Sequence, residues 1–498
     1  MKKTCQKNIN KIVFAASFVL VYLAFQCFYN LHFSIDSYDT YLADKQNAFW
    51  HIQNGRLVFS LIVYAVDFIG LNLLTNNVLW VNLFMFVLAW SIATLTLRIM
   101  KYANNDFTNG ILVFLFVCLS FVHAFMAEWF QFTECLLMYS VSVFCAVAAA
   151  LVFPLNSTQS KSGYIISLLL LTIAYNCYQV GICFFVFYIL CFIFLENKGR
   201  FCVNAVKSTI GAAFTVVLTF AMNMVIIKLL IKGGVIGSSS RMSTISLENI
   251  KSNLVRFFSS DIQFVLWMRG NEMLKAPDLL VLSIIMFIAA LFASISLQKK
   301  WYDVVYAFTL LSGGILALMA PILLTDTFWM PPRTIVPLFC IYAYLGCMVA
   351  ESTNKRLKQI LCILLIVALA RQTWFINNYS VDVLKSNNCD KIWTEYVISE
   401  IEKYENSNDI TISHIGVSRN DALSFFWDDI DYRWDVCYRA LRIEWATTEM
   451  ISYYADKPYE KVSVPEDMVA NFKNSESECN IFDTQISFCD NKCYIYIK

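Results

Sequence analysis

Charged residues are scarce in this chain of 498 residues: they make up 15% of it, while hydrophobic residues make up 58%. Soluble domains carry about a quarter of their residues charged, so the deficit excludes an ordinary soluble enzyme. The 4 histidines form no recognisable triad with a serine or cysteine, and no cysteine pair has zinc-site spacing. The sequence also lacks internal repeats and low-complexity tracts, which argues against repeat and disordered classes.

The charge balance differs between the two ends of the chain. Residues 377–498 hold 22 acidic and 12 basic side chains, a net of −10, although the whole chain is +1. Residues 1–376 therefore carry +11 and contain the long apolar runs. We predict a transmembrane domain at 1–376 and a small acidic α+β domain at 377–498, outside the membrane.

Apolar runs mark the predicted membrane spans, each of which needs about 20 residues. The stretch 163–195 is long enough for two short helices broken at residues 176–179. The basic N-terminus is similar to a signal peptide, but no small-x-small site follows it, so we expect it to be retained. The fold class is then an all-α polytopic membrane protein with about 11 transmembrane helices. The other predicted spans are 12–30, 78–97, 110–127, 135–155, 209–232, 279–297, 302–324, 334–351 and 357–376.

The apolar run from Leu57 to Leu74 is left out of this count because of the charges around it. Lys and Arg concentrate in cytoplasmic loops. With this run on the membrane surface, the predicted cytoplasmic segments hold 15 of them, with at least one in every segment. Counting it as a span would place most of these charges outside. We predict an interfacial or re-entrant helix, a cytoplasmic N-terminus and an exterior C-terminal domain.

The loop after the first span, residues 31–77, holds the densest group of candidate site residues. Asp36 and Asp39 are three apart, which places both carboxylates on one face of a helical turn. Partial desolvation would raise their pKa toward the range of a general base, and a solvated helix cap is the alternative. Arg56 follows a turn signal and suits either a phosphate or a role as an interfacial anchor.

Other polar residues lie at predicted exterior ends of later spans. Glu128 and Glu134 could position an acceptor, share a metal with Asp36, or face water as helix-end carboxylates. Arg333 is a functional candidate because of its depth, and Gln179 marks a turn that is either hydrogen-bonded or functional. The loop at 233–277 is basic although exterior, so it could bind a lipid phosphate or be an ordinary surface helix at 247–268. Its basic residues are Arg241, Lys251, Arg256, Arg269 and Lys275.

The C-terminal region has a mixed pattern. It predicts helices at 390–404 and 438–453, a strand at 410–417 and a hairpin turn at 489–493. In an oxidising compartment its cysteines could form two disulfides and leave one thiol. These cysteines are Cys389, Cys437, Cys479, Cys489 and Cys493.

The first loop resembles that of the GtrII-type glucosyltransferases of O-antigen modification, a branch of the GT-C membrane glycosyltransferases. The general layout is similar over most of residues 12–376, and GT-C enzymes have interfacial helices in this loop. The family often has two adjacent acids there, whereas Asp36 is followed here by Ser37. The residues that carry the resemblance are Asp36, Trp50, Asn54, Gly55, Arg56, Tyr178, Gln179 and Arg333.

The resemblance implies inverting transfer of a sugar from a polyprenyl phosphate, typically undecaprenyl-phosphate glucose, to O-antigen or another surface glycan. It implies a general base at Asp36 with support from Asp39. The donor phosphate would be bound by Arg56, Arg241, Arg269 and Arg333. The acceptor and sugar would be bound by Trp50, Glu128, Glu134, Tyr178 and Gln179.

Two other classes remain alternatives: an O-antigen polymerase, which usually has large loops between spans, and a lipid-linked-sugar flippase, which needs charges inside the spans. We expect a multi-pass protein of the bacterial inner membrane, with membrane lipids and glycans as partners and no nucleic acid. The sequence identifies no cofactor with certainty, and a divalent cation is an open alternative.

Overall fold

The structure, a computed structural model, describes residues 2–102, 107–155, 161–237, 247–257, 259, 277–296, 300–323, 332–352, 354–419, 440–474 and 484–497. Helices dominate this part of the chain, and a small sheet lies at its C-terminal end. A mainly helical fold followed by a small mixed α/β region is therefore confirmed.

Long apolar helices form most of the chain before residue 376. Among the described residues, eight helices could cross a membrane, and a pair bent by 46° (Phe107–Leu119 and Ala124–Gln131) would make a ninth. The figure of 11 spans stays a prediction. The helices of this region are α1 (Lys2–Phe25), α2 (Ser37–Leu42), α3 (Ala48–Gln53), α4 (Leu57–Phe68), α5 (Asn77–Met100), α6 (Phe107–Leu119), α7 (Ala124–Gln131), α8 (Leu136–Val152), α9 (Lys161–Cys177), α10 (Ile182–Glu196), α11 (Val203–Lys232), α12 (Leu247–Arg256), α13 (Pro277–Ser296), α14 (Trp301–Leu323), α15 (Pro332–Ile335), α16 (Cys340–Ala350) and α17 (Lys355–Asn408).

These helices present large apolar side chains to their surroundings. On α11, Ile210 and Val217 are each 63% exposed, and Phe214 and Leu229 are each 64% exposed. Soluble monomers rarely expose large contiguous apolar surfaces. The exposed face of α11 is therefore the face expected of a membrane-spanning helix in contact with lipid.

Helix α4 occupies the apolar run that was left out of the predicted spans. It has 12 residues, roughly 18 Å at 1.5 Å per residue, which is shorter than a hydrocarbon core of about 30 Å. Phe59 and Val63 are buried, whereas Leu61 and Phe68 are exposed. Its length agrees with an interfacial or re-entrant helix, and its place at the membrane surface stays a prediction.

The break predicted within 163–195 is confirmed. Helix α9 ends at Cys177 and α10 begins at Ile182, and Tyr178 between them has an extended backbone. The Ser142 hydroxyl of α8 lies 3.0 Å from the Ala174 carbonyl oxygen and 2.9 Å from that of Tyr178. A hydroxyl from a neighbouring helix thus satisfies carbonyls that the break frees, as an interruption inside a membrane requires.

Helix α17 continues without a break through residue 376, where the charge balance changes. It has 54 residues, roughly 81 Å at 1.5 Å per residue, and it includes the helix predicted at 390–404. The boundary between the two predicted domains therefore falls inside one helix. The division at 376 rests on composition and stays a prediction.

The C-terminal region contains β1 (His414–Arg419), α18 (Glu444–Tyr454), β2 (Glu460–Lys461), α19 (Glu466–Asn474), β3 (Thr484–Cys489) and β4 (Lys492–Ile497). The strands form a mixed four-stranded sheet in the order β2-β1-β4-β3, with β1 parallel to both neighbours and β3 antiparallel to β4. The hairpin turn at 489–493 is confirmed. The predicted strand and second helix of this region are present, with bounds shifted by up to six residues.

Aromatic rings join the C-terminal region to the first loop. The ring centroid of Phe33 lies 4.9 Å from that of Tyr38 in a stacked pair and 5.3 Å from that of Tyr453 in an edge contact. Tyr41 also meets Tyr453, at 4.9 Å. The Asn387 side chain on α17 accepts from the Phe33 N–H at 2.8 Å and donates to its carbonyl at 3.1 Å. Helix α2 is thereby held against α17 and α18.

Two expectations concern the segments predicted to be exterior. Cys389, Cys489 and Cys493 are free thiols in this structure, so it does not contain the two disulfides that the C-terminal cysteines could form in an oxidising compartment; Cys437 and Cys479 lie outside the described residues. The surface helix predicted at 247–268 is described only over Leu247–Arg256, as α12.

Candidate active site

A cavity of about 250 Å³ lies where the first loop, the α7–α8 connection, the α9–α10 break and the C-terminal region meet. It brings together Asp36, Asp39, Trp50, Arg56, Glu134, Tyr178 and Arg333 from the predicted site. Its other lining residues, none of them predicted, are Thr40, Asn47, His51, Phe132, Cys135, Met138, Tyr139 and Trp445.

A turn at residues 34–37 places Asp36 at the cavity. The hydroxyls of Ser34 and Ser37 donate to the two carboxylate oxygens of Glu134, at 2.8 and 2.9 Å. The Ser34 N–H donates to the Ser37 hydroxyl oxygen at 2.8 Å. Glu134 is 3% exposed, so the idea that it faces water is wrong. A buried carboxylate from the α7–α8 connection therefore holds the turn that carries Asp36.

Asp36 occupies the N-cap position of α2 but makes no capping hydrogen bond with its side chain. The alternative of a helix cap is thus wrong for this carboxylate. It is only partly buried and lines the cavity together with Glu134. The placement leaves an acid at the cavity surface, where a substrate hydroxyl could approach it.

Asp39 lines the same cavity from within the first turns of α2. The Asn47 amide nitrogen donates to an Asp39 carboxylate oxygen at 2.9 Å. Burial raises the pKa of Asp39 above its ordinary value, and the Asn47 hydrogen bond opposes that rise. The direction predicted for a carboxylate at the membrane edge is therefore found at Asp39.

The predicted turn before Arg56 is a Schellman motif that ends α3. The Gly55 N–H donates to the Ile52 carbonyl at 2.9 Å, and the Arg56 N–H donates to the His51 carbonyl at 2.8 Å. Gly55 has φ +74°, a conformation that glycine adopts without the penalty of a Cβ. The motif satisfies the end of α3 and directs the chain so that Arg56 enters the cavity.

The Arg56 guanidinium lies over two aromatic rings. Its central carbon is 5.5 Å from the Trp50 ring and 5.4 Å from the Tyr178 ring. Its Nε is buried and has no hydrogen-bond partner in the described part of the chain. Buried donors normally have an acceptor. Arg56 also lines the cavity, where its positive charge is suited to an anionic group that enters. Arginine binds phosphate well through such a planar set of donors.

His51 lines the cavity beside Arg56 and is buried. Burial, with a smaller contribution from the Arg56 charge, lowers the pKa of His51 to about 3. The imidazole is therefore neutral at neutral pH and has one N–H to donate. Its Nδ1 is buried without a partner among the described residues.

Arg333 also lines the cavity and is paired with Glu128. Its guanidinium and backbone N–H donate to the two Glu128 carboxylate oxygens at 3.0 and 2.7 Å. Glu128 is 4% exposed, so it does not face water, and it is not among the residues that line the cavity. The Arg333 carbonyl accepts from the Trp129 indole N–H at 2.9 Å and the Tyr178 hydroxyl at 3.3 Å. Glu128 thus holds Arg333 in place.

Gln179 supports the site from outside the lining. Its amide nitrogen donates to the Asn54 carbonyl at 3.2 Å, which ties the α9–α10 break to the turn before Arg56. Neighbouring Tyr178 contacts Arg56 and Arg333 directly. The Tyr-Gln pair therefore connects the two arginines, while Gln179 itself does not line the cavity.

The remaining predicted positions, Arg241 and Arg269, lie outside the described residues. No group of three or more His, Cys, Asp or Glu side chains suited to a metal ion occurs in the searched, described part of the chain.

Asn47 and His51 stand in the same stretch as the predicted residues, Asn47 three residues before Trp50 and His51 directly after it, so closeness in sequence could have suggested them. Trp445 is different, because it is distant in sequence and no local pattern marks it. Only the packing of α18 on the first loop brings its ring to the cavity.

Comparison with known proteins identifies one family. The family model described as Glucosyl transferase GtrII matches residues 6–350. The match includes every cavity residue except Trp445. No curated protein and no solved structure matches the chain.

Proposed function

The chain belongs to the GtrII glucosyl transferase family, and we propose that it transfers glucose from undecaprenyl phosphate to O-antigen or a similar surface polysaccharide. The observation that carries this proposal is the single cavity lined by the Asp36 and Asp39 carboxylates and the Arg56 and Arg333 guanidiniums. Inverting transfer from a lipid phosphate requires a carboxylate that accepts the proton of the acceptor hydroxyl and a cation that stabilises the leaving phosphate.

The proposed reaction is a single displacement at C1 of glucose, of the GT-C type. The acceptor hydroxyl oxygen forms a bond to C1 while the bond between C1 and the phosphate oxygen breaks. Asp36 takes the hydroxyl proton as general base, and undecaprenyl phosphate leaves with the bonding electron pair. Asp39, whose pKa is raised by burial, lines the same cavity and is assigned a supporting role beside this base.

The two arginines have unequal roles in this proposal. The charge of Arg333 is partly balanced by Glu128, which lies 3.0 Å from it. Arg56 lies over the Trp50 and Tyr178 rings, and its Nε has no acceptor in the described part of the chain. Arg56 is therefore the main group that stabilises the charge developing on the phosphate, and Arg333 assists it.

The proposed location follows from the charge pattern of the sequence. We place the protein in the bacterial inner membrane with its N-terminus in the cytoplasm and residues 377–498 in the periplasm, because the Lys and Arg of the short loops then lie inside. The carrier's tail remains in lipid, and the acceptor approaches from the aqueous side. Metal dependence stays open.

A gene deletion tests the function. Surface polysaccharide from deleted cells is compared by composition and linkage analysis with polysaccharide from cells complemented by wild type, Asp36→Asn or the control Asp382→Asn. We expect wild type and the control to restore a glucose branch and Asp36→Asn to transfer at least about a hundredfold less at equal membrane abundance. Near-normal modification by Asp36→Asn would refute the base assignment. A change in chain length alone would favour a polymerase.

A further inference from the structure

Helix α18 of the C-terminal region presents one face to the cavity and the first loop. Trp445, Glu449 and Tyr453 are spaced four residues apart and so share a side of this helix. Tyr453 packs against Tyr41, and the Asp39 charge, after burial, contributes to a raised pKa of Glu449. At the start of the same face, Trp445 lines the cavity.

Trp445 keeps a free ring surface in this position. The residue is 38% exposed, and no ring stacking or hydrogen bond of Trp445 is found within the described residues. The face of an aromatic ring is electron-rich and apolar. An indole that stays open at the wall of a polar cavity is suited to the apolar C–H face of a sugar ring.

The position of this ring also separates the two substrates. The donor phosphate is assigned to Arg56, whose turn packs near Ile227 of the apolar helix α11. Trp445 is contributed by the C-terminal region. It also lies outside residues 6–350, which match the family model. A sugar at Trp445 is therefore held by a different part of the chain from the turn assigned to the donor phosphate.

We propose that Trp445 is the stacking platform of an acceptor-sugar subsite, with Glu449 on the same helix face available to accept hydrogen bonds from sugar hydroxyls. This inference rests on the proposed glucosyl transfer. It assigns recognition of the glycan acceptor to the C-terminal region and leaves donor binding to the first loop. The occupant is a neutral hexose unit of the acceptor polysaccharide.

The test uses the full-length enzyme in lipid nanodiscs, undecaprenyl-phosphate glucose, and polysaccharide isolated from cells that lack the gene. Trp445→Ala is compared with Trp445→Phe and with Trp374→Ala, which removes an indole 57% exposed on α17. We expect Trp445→Ala to raise the acceptor KM roughly tenfold, a loss of about 1.4 kcal/mol, with kcat and donor KM within about twofold. Trp445→Phe should keep most of the affinity.

Two results would overturn the subsite: an acceptor KM for Trp445→Ala equal to that of Trp374→Ala, or an effect on the donor KM alone. Saturation-transfer NMR of the polysaccharide with wild type and Trp445→Ala separates this inference from the reaction itself. If wild type binds the polysaccharide through Trp445 but transfers no glucose, the subsite stands and the proposed function fails. Equal binding by both proteins refutes the subsite.

Discussion

The two walls of the cavity differ in how far apart their residues lie in the sequence. One wall comes from residues 36–56 of the first loop and supplies Asp36, Asp39 and Arg56. The second wall consists of the lining residues from distant segments: residues 132–139, which include Glu134, and then Tyr178, Arg333 and Trp445. The first wall holds most of the groups proposed to act on the reaction. The second holds those groups in place and adds one exposed ring.

This difference indicates how the site achieves a fixed geometry. Short helices such as α2 and α3, of 6 residues each, are marginal on their own. Glu134 binds the turn before α2, and Tyr178 contacts the Arg56 guanidinium after α3. Contacts from distant segments therefore supply the order that the first loop lacks by itself.

The largest effect is expected from removing the cation of the first-loop wall. Arg56→Ala should lower kcat for glucosyl transfer by about a hundredfold or more, as loss of a donor to a developing anion does. Arg333→Ala should have a smaller effect, because Glu128 already balances Arg333. The measurement is transfer from undecaprenyl-phosphate glucose by purified protein, at saturating acceptor.

Two further variants make the Arg56 comparison specific. Arg56→Lys keeps the charge but loses the planar set of donors, so it should fall between wild type and Arg56→Ala. Lys385→Ala removes a cation whose side chain is 70% exposed, away from the cavity lining, and should behave as wild type. If Arg333→Ala is the more damaging of the two arginine variants, the unequal roles assigned to them are wrong.

A moderate effect is expected from loosening the second wall. Glu134→Gln keeps the shape of the side chain but replaces one hydroxyl acceptor with an amide donor, so either Ser34 or Ser37 loses its acceptor. Loss of a buried hydrogen bond costs about 1–3 kcal/mol, and we expect kcat to fall roughly tenfold with both KM values little changed.

A positioning role for Glu134 has a separate signature. The Ser34→Ala/Ser37→Ala double variant removes both contacts to Glu134 and also the acceptors of the Ser34 and Asp36 N–H groups. It should lower kcat at least as much as Glu134→Gln, and adding Glu134→Gln to it should lower kcat no further. The acid limb of the pH–rate profile should also move in both, since the turn that carries Asp36 has changed. A direct role of Glu134 in proton transfer would instead spare the serine variant.

The sequence predicts the first wall better than the second, and the reason is physical. Asp36, Trp50 and Arg56 follow local signals: a segment after a span, helical spacing, and a glycine turn that closes as a Schellman motif. The burial of Glu134 and Glu128 depends on serines and an arginine that lie far away in sequence. Helix-end position alone therefore suggested exposure to water. The position of Trp445 at the cavity depends on the packing of a sheet and two helices, which no short stretch of sequence indicates.

The smallest expected effect compares two glycines with nearly the same backbone. Gly55 has φ +74° and Gly70 has φ +75°, so alanine at either should destabilise the fold by about 1–2 kcal/mol. A Cβ at Gly55 would lie 2.9 Å from the Ile227 side-chain end, whereas one at Gly70 would meet nothing within 4 Å. We expect similar falls in thermal stability, but a severalfold fall in transfer rate only for Gly55→Ala, whose turn aims Arg56.

Adding Ile227→Val shortens the clashing side chain and should restore part of that rate. Equal activity of Gly55→Ala and Gly70→Ala would mean that the turn does not control Arg56, and the two walls would then not differ in the way argued above.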